Sequence, residues 1–388
     1  MEVETEESVQ RPTWKERSLS YLKTLPKRYF ITAFSGMAQG LFVTLIAGTI
    51  LAQIAGWIGD NYIGNTLFYI ANLAKILMGA GIGVGIAHAL GKNKLLTFSA
   101  VAAGMIGAWA DQLIVGGGGY GVIVAKLGAG LPGNPIGAYV LTMLTVEIVE
   151  LYAGKTKLDI ILIPLGTLLV SFAGVFVAWP FIKLIDLFAE LLVITINAGA
   201  AVKLIVGILI AVVMGILLTM PTSSAAIWVA IATSNTAIEN PEVFAIAGGA
   251  AVAGCAAHMI GFAVTSFREN GVGGLISQGI GTSMLQIPNI MKKPVIMIPE
   301  IVSSAVAGVV AVLLNVRCTA AGGGMGTSGL VGLFGVIDAC AQYNVPTLNC
   351  VLGIVLCLFV IPTLVSLLVS EFMRKKGWIQ FGDMKLEL

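Results

Sequence analysis

Residues 159–181 read DIILIPLGTLLVSFAGVFVAWPF, and the fold class follows from them. Asp159 carries the one charge of the stretch. At 1.5 Å per residue, a helix of about 20 residues crosses a hydrocarbon core of about 30 Å, so an apolar run of this length reads as a crossing. Comparable runs recur at about 30–58, 66–90, 96–114, 134–153, 202–220, 222–236, 243–266, 294–315 and 348–372, with no domain-sized soluble stretch between them. The seventh in chain order, 222–236, is short for a crossing. The expected fold is all-α, a polytopic membrane protein of about ten transmembrane helices with re-entrant hairpins.

Composition agrees. Of the 388 residues, 57% are hydrophobic and 11% charged, against about 25% charged in soluble chains, and the mean hydropathy is +0.95. Eleven of the charges lie in residues 1–30 and seven in 371–388, which leaves 24 across the 340 residues between. Three regions are expected: a cytoplasmic N-terminal segment (1–28), a transmembrane domain (29–372) and a cytoplasmic tail (373–388). The opening residues lack the basic start, short apolar run and cleavage site of a secretory signal, so the N-terminus is expected to be retained. Cys255, Cys318, Cys340, Cys350 and Cys357 show neither C-x-x-C spacing nor a partner histidine, and read as small core residues; no metal or cofactor is expected. The net charge of +2 gives no case for nucleic acid.

Orientation follows the lysine and arginine of the loops. Arg17, Lys23, Lys27 and Arg28, then Lys92 and Lys94, Lys155 and Lys157, Arg268, Lys292 and Lys293, and Arg374, Lys375 and Lys376 fall on one side of an even-crossing scheme. Both termini are therefore expected inside. The opposite loops, such as GDNYIG and IVGGGGYG, are nearly uncharged. Residues 181–196 place Lys183, Asp186 and Glu190 on one face, as in a helix lying in the interface, one packed against a partner, or a connector with a solvated face, and 14–24 do so more weakly. Glu147 and Glu150 are expected to pair locally with Lys155 and Lys157. Asp111 and Gln112 read as a solvated helix end or an entry vestibule, with Trp109 as an interface anchor.

Three stretches are lipid-embedded by composition but broken by glycine or proline: 218–228 (LTMPTSSAAIW), 270–290 (NGVGGLISQGIGTSMLQIPNI) and 319–337 (TAAGGGMGTSGLVGLFGVI). Irregular backbone is tolerated at membrane depth where protein or a wet cavity satisfies its peptide groups, and in transporters such elements line the solute site. The alternative is tight helix packing through small residues. Thr222, Ser223, Thr282, Ser283, Gln286 and Asn289 lie in these breaks and are candidate solute contacts. His258, in GCAAHMIGFAV, is either a ligand contact or an ordinary interhelical hydrogen bond. Glu300 follows Pro299 in an apolar helix, where a charge costs about 2.5–3.5 kcal/mol on insertion scales; it reads as a solute or proton acceptor, or as an interfacial residue near Lys292 and Lys293. Arg317, before AAGGGMGTSG, is a candidate anion contact if the glycines turn their N–H groups toward one point.

The stretches LAKILMGAGIGVGIAHALGKNK (73–94) and LGAGLPGNPIGAYVLTMLTVEIVELYAGKTKLDIILIPLGTLLVSFAG (127–174) resemble the membrane IIC subunit of sugar phosphotransferase systems, and IPNIMKKPVIMIPE (287–300) is similar to the PfoR-like branch. The resemblance implies a bacterial plasma-membrane permease, a ten-helix homodimer with both ends inside. Such a permease holds a sugar between broken helices and presents it to a separate IIB protein for phosphorylation, with IIA further upstream. The chain departs from the family where Gly281 or Thr282 stands at the usual hairpin glutamate, and where Thr219, Thr222, Ser223 and Ser224 occupy the stretch that usually precedes a histidine. Besides this permease reading, the sequence leaves open a non-phosphorylating carrier of an organic anion, built on Arg317, and a membrane sensor acting through a partner.

Overall fold

The computed structural model describes residues 24–25, 27–115, 117–128, 130–197, 199–220 and 224–386. The proposed N-terminal segment up to residue 23, Pro221 and the candidate contacts Thr222 and Ser223 lie outside the described residues. The main helices are α1 (Ile31–Ile58), α2 (Tyr62–Ile76), α3 (Met78–Ala89), α4 (Lys94–Ala108), α5 (Gly117–Gly128), α6 (Pro135–Glu150) and α7 (Asp159–Asn197). They continue as α8 (Ala200–Thr219), α9 (Ser224–Ala232), α10 (Pro241–Thr265), α11 (Phe267–Ile276), α12 (Ile298–Leu313), α13 (Val331–Gln342) and α14 (Thr347–Lys375). Among the described residues no strand occurs. Among the described residues six helices are long and apolar enough to cross a membrane, seven if α2 and α3, bent by 51°, form one span. The helices α4 and α6, of 15 and 16 residues, reach about 23 and 24 Å.

Two bundles carry the packing. In the first, α1 packs on α3, α3 on α4, α4 on α6 and α6 on α7. Without water to drive apolar association inside lipid, helices gain by close van der Waals approach through small residues. Gly36 of α1 meets Gly85 of α3 so closely that an added Cβ would lie 2.4 Å from the Gly85 carbonyl oxygen, and Gly104 of α4 meets Gly79 of α3 at 2.0 Å by the same measure. The helix starts are set by asparagine caps: Asn61, Asn93 and Asn134 accept from the N–H groups of Gly64, Leu96 and Ile136, each satisfying a donor that the first helical turn leaves free.

Three local expectations change. Glu147 and Glu150 do not pair with Lys155 and Lys157; Glu147 accepts from Arg28 at 2.7 Å, and Glu150 pairs with both Arg28 and Lys92. Arg28 lies just ahead of α1 and Lys92 follows α3, so the packing of α1 on α3 and of α3 on α6 brings distant cations nearer than the local lysines. Residues 181–196 are no separate interface helix but the continuation of α7. Asp186 there is buried, accepting from Asn235, and Lys183 pairs with Asp111 at 3.0 Å. The IVGGGGYG stretch, expected as loop, enters helix α5.

The second bundle joins α8, α10, α12 and α14, with α10 and α12 each packed on the other three. Almost every residue of α10 is buried, and small residues again make this possible: an added Cβ at Gly254 would stand 1.9 Å from the Ala211 carbonyl oxygen of α8. The cysteines expected in the core are free, with Cys255, Cys318, Cys340 and Cys357 buried and Cys350 half-buried. Pro362 has no N–H for the carbonyl four residues back, and a π-helical stretch at 354–360 takes up the slip.

The segments between the bundles are broken. Helix α8 runs parallel to α10 and stops at Thr219 beside His258; Met220 is extended, and α9 leads back toward Asp186 on α7. The segment 318–343 leaves the start of α10, where the Cys318 N–H bonds the Ala245 carbonyl, and reaches Cys255 and Ala256 at Gly326, whose φ is +55°. It returns along α13 until Tyr343 lies under Arg317. From the other end of α10, the segment 267–292 turns at Gly271 (φ +59°), continues as a π-helical turn at 277–281, becomes extended at Thr282 and returns through short helical turns. All three stretches expected to be broken are broken.

Gly254→Ala is expected to destabilise the purified protein by ~3 kcal/mol, because the α8 and α10 backbones must part. Gly56→Ala, with nothing within 4 Å, is expected to be neutral or slightly stabilising. Thermal unfolding in detergent checks both.

Candidate functional site

The tips of the three broken segments meet around His258. This residue lies seven positions before the end of α10, roughly 10 Å inside the helix end at 1.5 Å per residue. Its Nδ1 is 2.9 Å from Thr219 Oγ1 at the end of α8, and Thr219 Oγ1 is 2.9 Å from Ser283 Oγ at the tip of 267–292. The third tip joins through its backbone and hydroxyls: Thr327 donates to the Gly279 carbonyl at 2.5 Å and Ser328 to the Gly281 carbonyl at 3.0 Å, while Ser224, opening α9, donates to the Gly324 carbonyl at 2.7 Å. Each bond gives a partner to a carbonyl whose helix or turn has ended, which buried peptide groups require.

Thr219, His258 and Ser283 are fully buried. Gly215 makes space for the imidazole, since a Cβ there would stand 2.4 Å from His258 Cδ2. Among the described atoms His258 Nε2 has no hydrogen-bond partner, and neither does Trp228 Nε1, on α9 against Gly323. The junction thus presents two hydroxyls and an imidazole, and the indole of Trp228 packs in the adjoining cluster with Leu218 and Met259. None of the four carries a fixed charge.

The other candidate residues lie elsewhere. Thr282 is half-buried beside Ser283 and accepts from the Met284 N–H. Gln286 and Asn289 belong to a network under the junction: Gln286 donates to Gln278 and to the Met384 carbonyl, and Asn289 donates to Gln286 and to the Lys385 carbonyl. The C-terminal tail is thereby tied beneath the 267–292 segment, reinforced by Asn270 and by the Lys293–Asp383 ion pair at 2.7 Å. Partial burial opposes ionisation of Asp383, but Lys293 and the Gln380 N–H outweigh it and hold the carboxyl below the usual range. Glu300 is fully buried and accepts from Thr265, about two turns along α10 from His258, at 3.0 Å. Arg317 sits at the far end of α10, 2.5 Å from Glu242 and over the Tyr343 ring.

Thr219 and Trp228 were not among the sequence-derived candidates. The signal for Thr219 was weak, a hydroxyl at the last position of an apolar helix before Met-Pro-Thr-Ser. Nothing in the local pattern marked Trp228, because its role comes from Gly323, 95 positions later. Among the described residues no group of three or more His, Cys, Asp or Glu side chains is placed to hold a metal.

No curated protein and no solved structure matches the chain. Residues 31–386 match the family profile described as "Phosphotransferase system, EIIC". That match spans both bundles, the three broken segments and the tail, and the chain therefore belongs to the phosphotransferase-system EIIC family, as a multi-pass membrane component that works on a solute with separate IIB and IIA partners.

Proposed function

We propose that the junction of Thr219, His258 and Ser283, with Trp228 beside it, holds a neutral polyol of the sugar class, and that a separate IIB protein phosphorylates this solute. The observation that carries the reading is the hydrogen-bonded chain His258–Thr219–Ser283, drawn from three different elements. Hydroxyl and neutral imidazole groups both donate and accept, as a sugar's hydroxyls do, and the indole N–H adds a donor. In the closed state Thr219 bonds both His258 and Ser283. A solute replaces those bonds with its own, so desolvation of the site leaves few polar groups unmatched.

The anion-carrier reading relied on the charge of Arg317, which Glu242 and Tyr343 already engage. Access follows from the construction. The segment 277–292 enters from the end that carries Arg268, Lys292, Lys293 and Arg374, and the α8–α9 turn from the opposite one. Withdrawal of one tip opens the junction to one side while the other stays shut. The positive excess at the first end supports a cytoplasmic side there, shared with both termini.

Calorimetric titration with neutral hexoses, hexitols and N-acetylhexosamines is expected to find one class that binds. His258→Ala is expected to weaken it at least tenfold, ~1.4 kcal/mol, and Ser283→Ala about fivefold, ~1 kcal/mol. Failure of the whole panel to bind, or affinity unchanged in both variants, contradicts the reading.

Removal of residues 378–388 takes away the Met384 and Lys385 carbonyls that hold Gln286 and Asn289. A membrane-impermeant thiol reagent applied to inside-out vesicles is then expected to label Ser283→Cys about tenfold faster than with the tail intact, each kilocalorie lost from a closed state being roughly a fivefold change in its opening. Equal rates show that the tail does not hold the segment shut.

A further inference from the structure

One turn beyond His258 lies a second polar column that the solute junction leaves unused. Gly261 and Thr265 of α10, Glu300 and Ser303 of α12, and Ser366 and Ser370 of α14 occur at spacings of three or four, so each pair shares a helix face. The three helices pack on one another. Ser366 and Glu300 meet where Gly261 lacks a side chain: the position its Cβ would take is 2.7 Å from Ser366 Oγ and 2.9 Å from Glu300 Cγ. Thr265 donates to Glu300 Oε1 at 3.0 Å.

Glu300, Ser303 and Ser366 are 0% exposed and Ser370 1%, yet Glu300 Oε2 and all three serine hydroxyls bond nothing among the described atoms. This is not the ordinary behaviour of serine in these helices. Ser304 donates to the Ile301 carbonyl and Ser266 to that of Phe262, the local bond that helical serine usually makes. The neighbouring cations are engaged, Arg374 with Glu269 and the Thr265 carbonyl, and Lys293 with Asp383.

We propose that this column is a binding site for a monovalent cation of sodium size, held by the Glu300 carboxylate with the hydroxyls of Thr265, Ser303 and Ser366. The donors are all oxygen, which suits a hard cation. One carboxylate balances one positive charge; a divalent ion would leave an uncompensated charge in a low-dielectric interior. The site shares no residue with the solute junction and stands independently of it. Its position on α10 ties cation occupancy to the helix that carries His258.

The test is the melting temperature of the purified protein without solute, at fixed pH and ionic strength, as sodium chloride replaces choline or potassium chloride. Sodium alone is expected to raise it saturably by several degrees, since a ligand of the folded state stabilises in proportion to ln(1 + [L]/Kd). The rise is expected to vanish in Glu300→Gln, and its midpoint concentration to increase at least tenfold in Ser366→Ala, both variants eluting as single species. If Glu300→Gln does not fold, Ser366→Ala and Ser303→Ala carry the test. Equal melting in all three salts, a sodium effect that survives in the serine variants, or a shift that follows pH and not sodium overturns the proposal.

Discussion

A peptide group placed among lipid chains has no water to bond, so every carbonyl and N–H that leaves a helix inside this bundle must find a partner in the protein. That constraint explains why the three broken segments end where they do. Gly279, Gly281 and Gly324 expose carbonyls at their tips, and Thr327, Ser328 and Ser224 supply the hydroxyls that satisfy them. A tip withdrawn without replacement bonds leaves these groups orphaned, at about 1–3 kcal/mol each. The tips therefore close on one another or on a guest able to bond as they do. Close approach through Gly254 and Gly326 brings them within reach of His258 on the most buried helix.

Polarity is graded along α10. Charged pairs sit at its two ends, Arg317 with Glu242 at one and Arg374 with Glu269 at the other. Between them the solute junction is built from uncharged donors and acceptors, and Glu300 occupies a separate column one turn away. At one end Glu242 is exposed beside Arg317, while at the other Glu269 is buried and Arg374 meets its charge directly. Neutral groups inside keep the burial penalty small while still offering directed bonds.

Much of this was legible in the sequence. The apolar runs gave the helical membrane class and the six or seven membrane-length helices found among the described residues, because length and hydropathy act locally. The three breaks were also visible, since glycine and proline disturb the helix at their own positions. Partnerships made across the bundle were not visible. Glu147 and Glu150 had lysines within a few positions, yet packing of α1 on α3 and of α3 on α6 supplied Arg28 and Lys92 instead. Arg317 stood beside a glycine-rich run that reads as an anion nest, but its partner came from Glu242, 75 positions earlier. Gln286 and Asn289 gained the tail as their acceptor, 98 and 96 positions on. Spacing along the chain carries no information about such contacts.

The most direct test of convergence at one guest-accessible point is oxidative cross-linking of Thr219→Cys with Ser283→Cys, in a background where the five native cysteines are replaced. The hydroxyls they replace lie 2.9 Å apart, so the account predicts a disulfide in the solute-free protein and markedly less of it when a binding sugar is present. A pair that never cross-links in the solute-free protein, while each single cysteine remains reactive after unfolding, contradicts it.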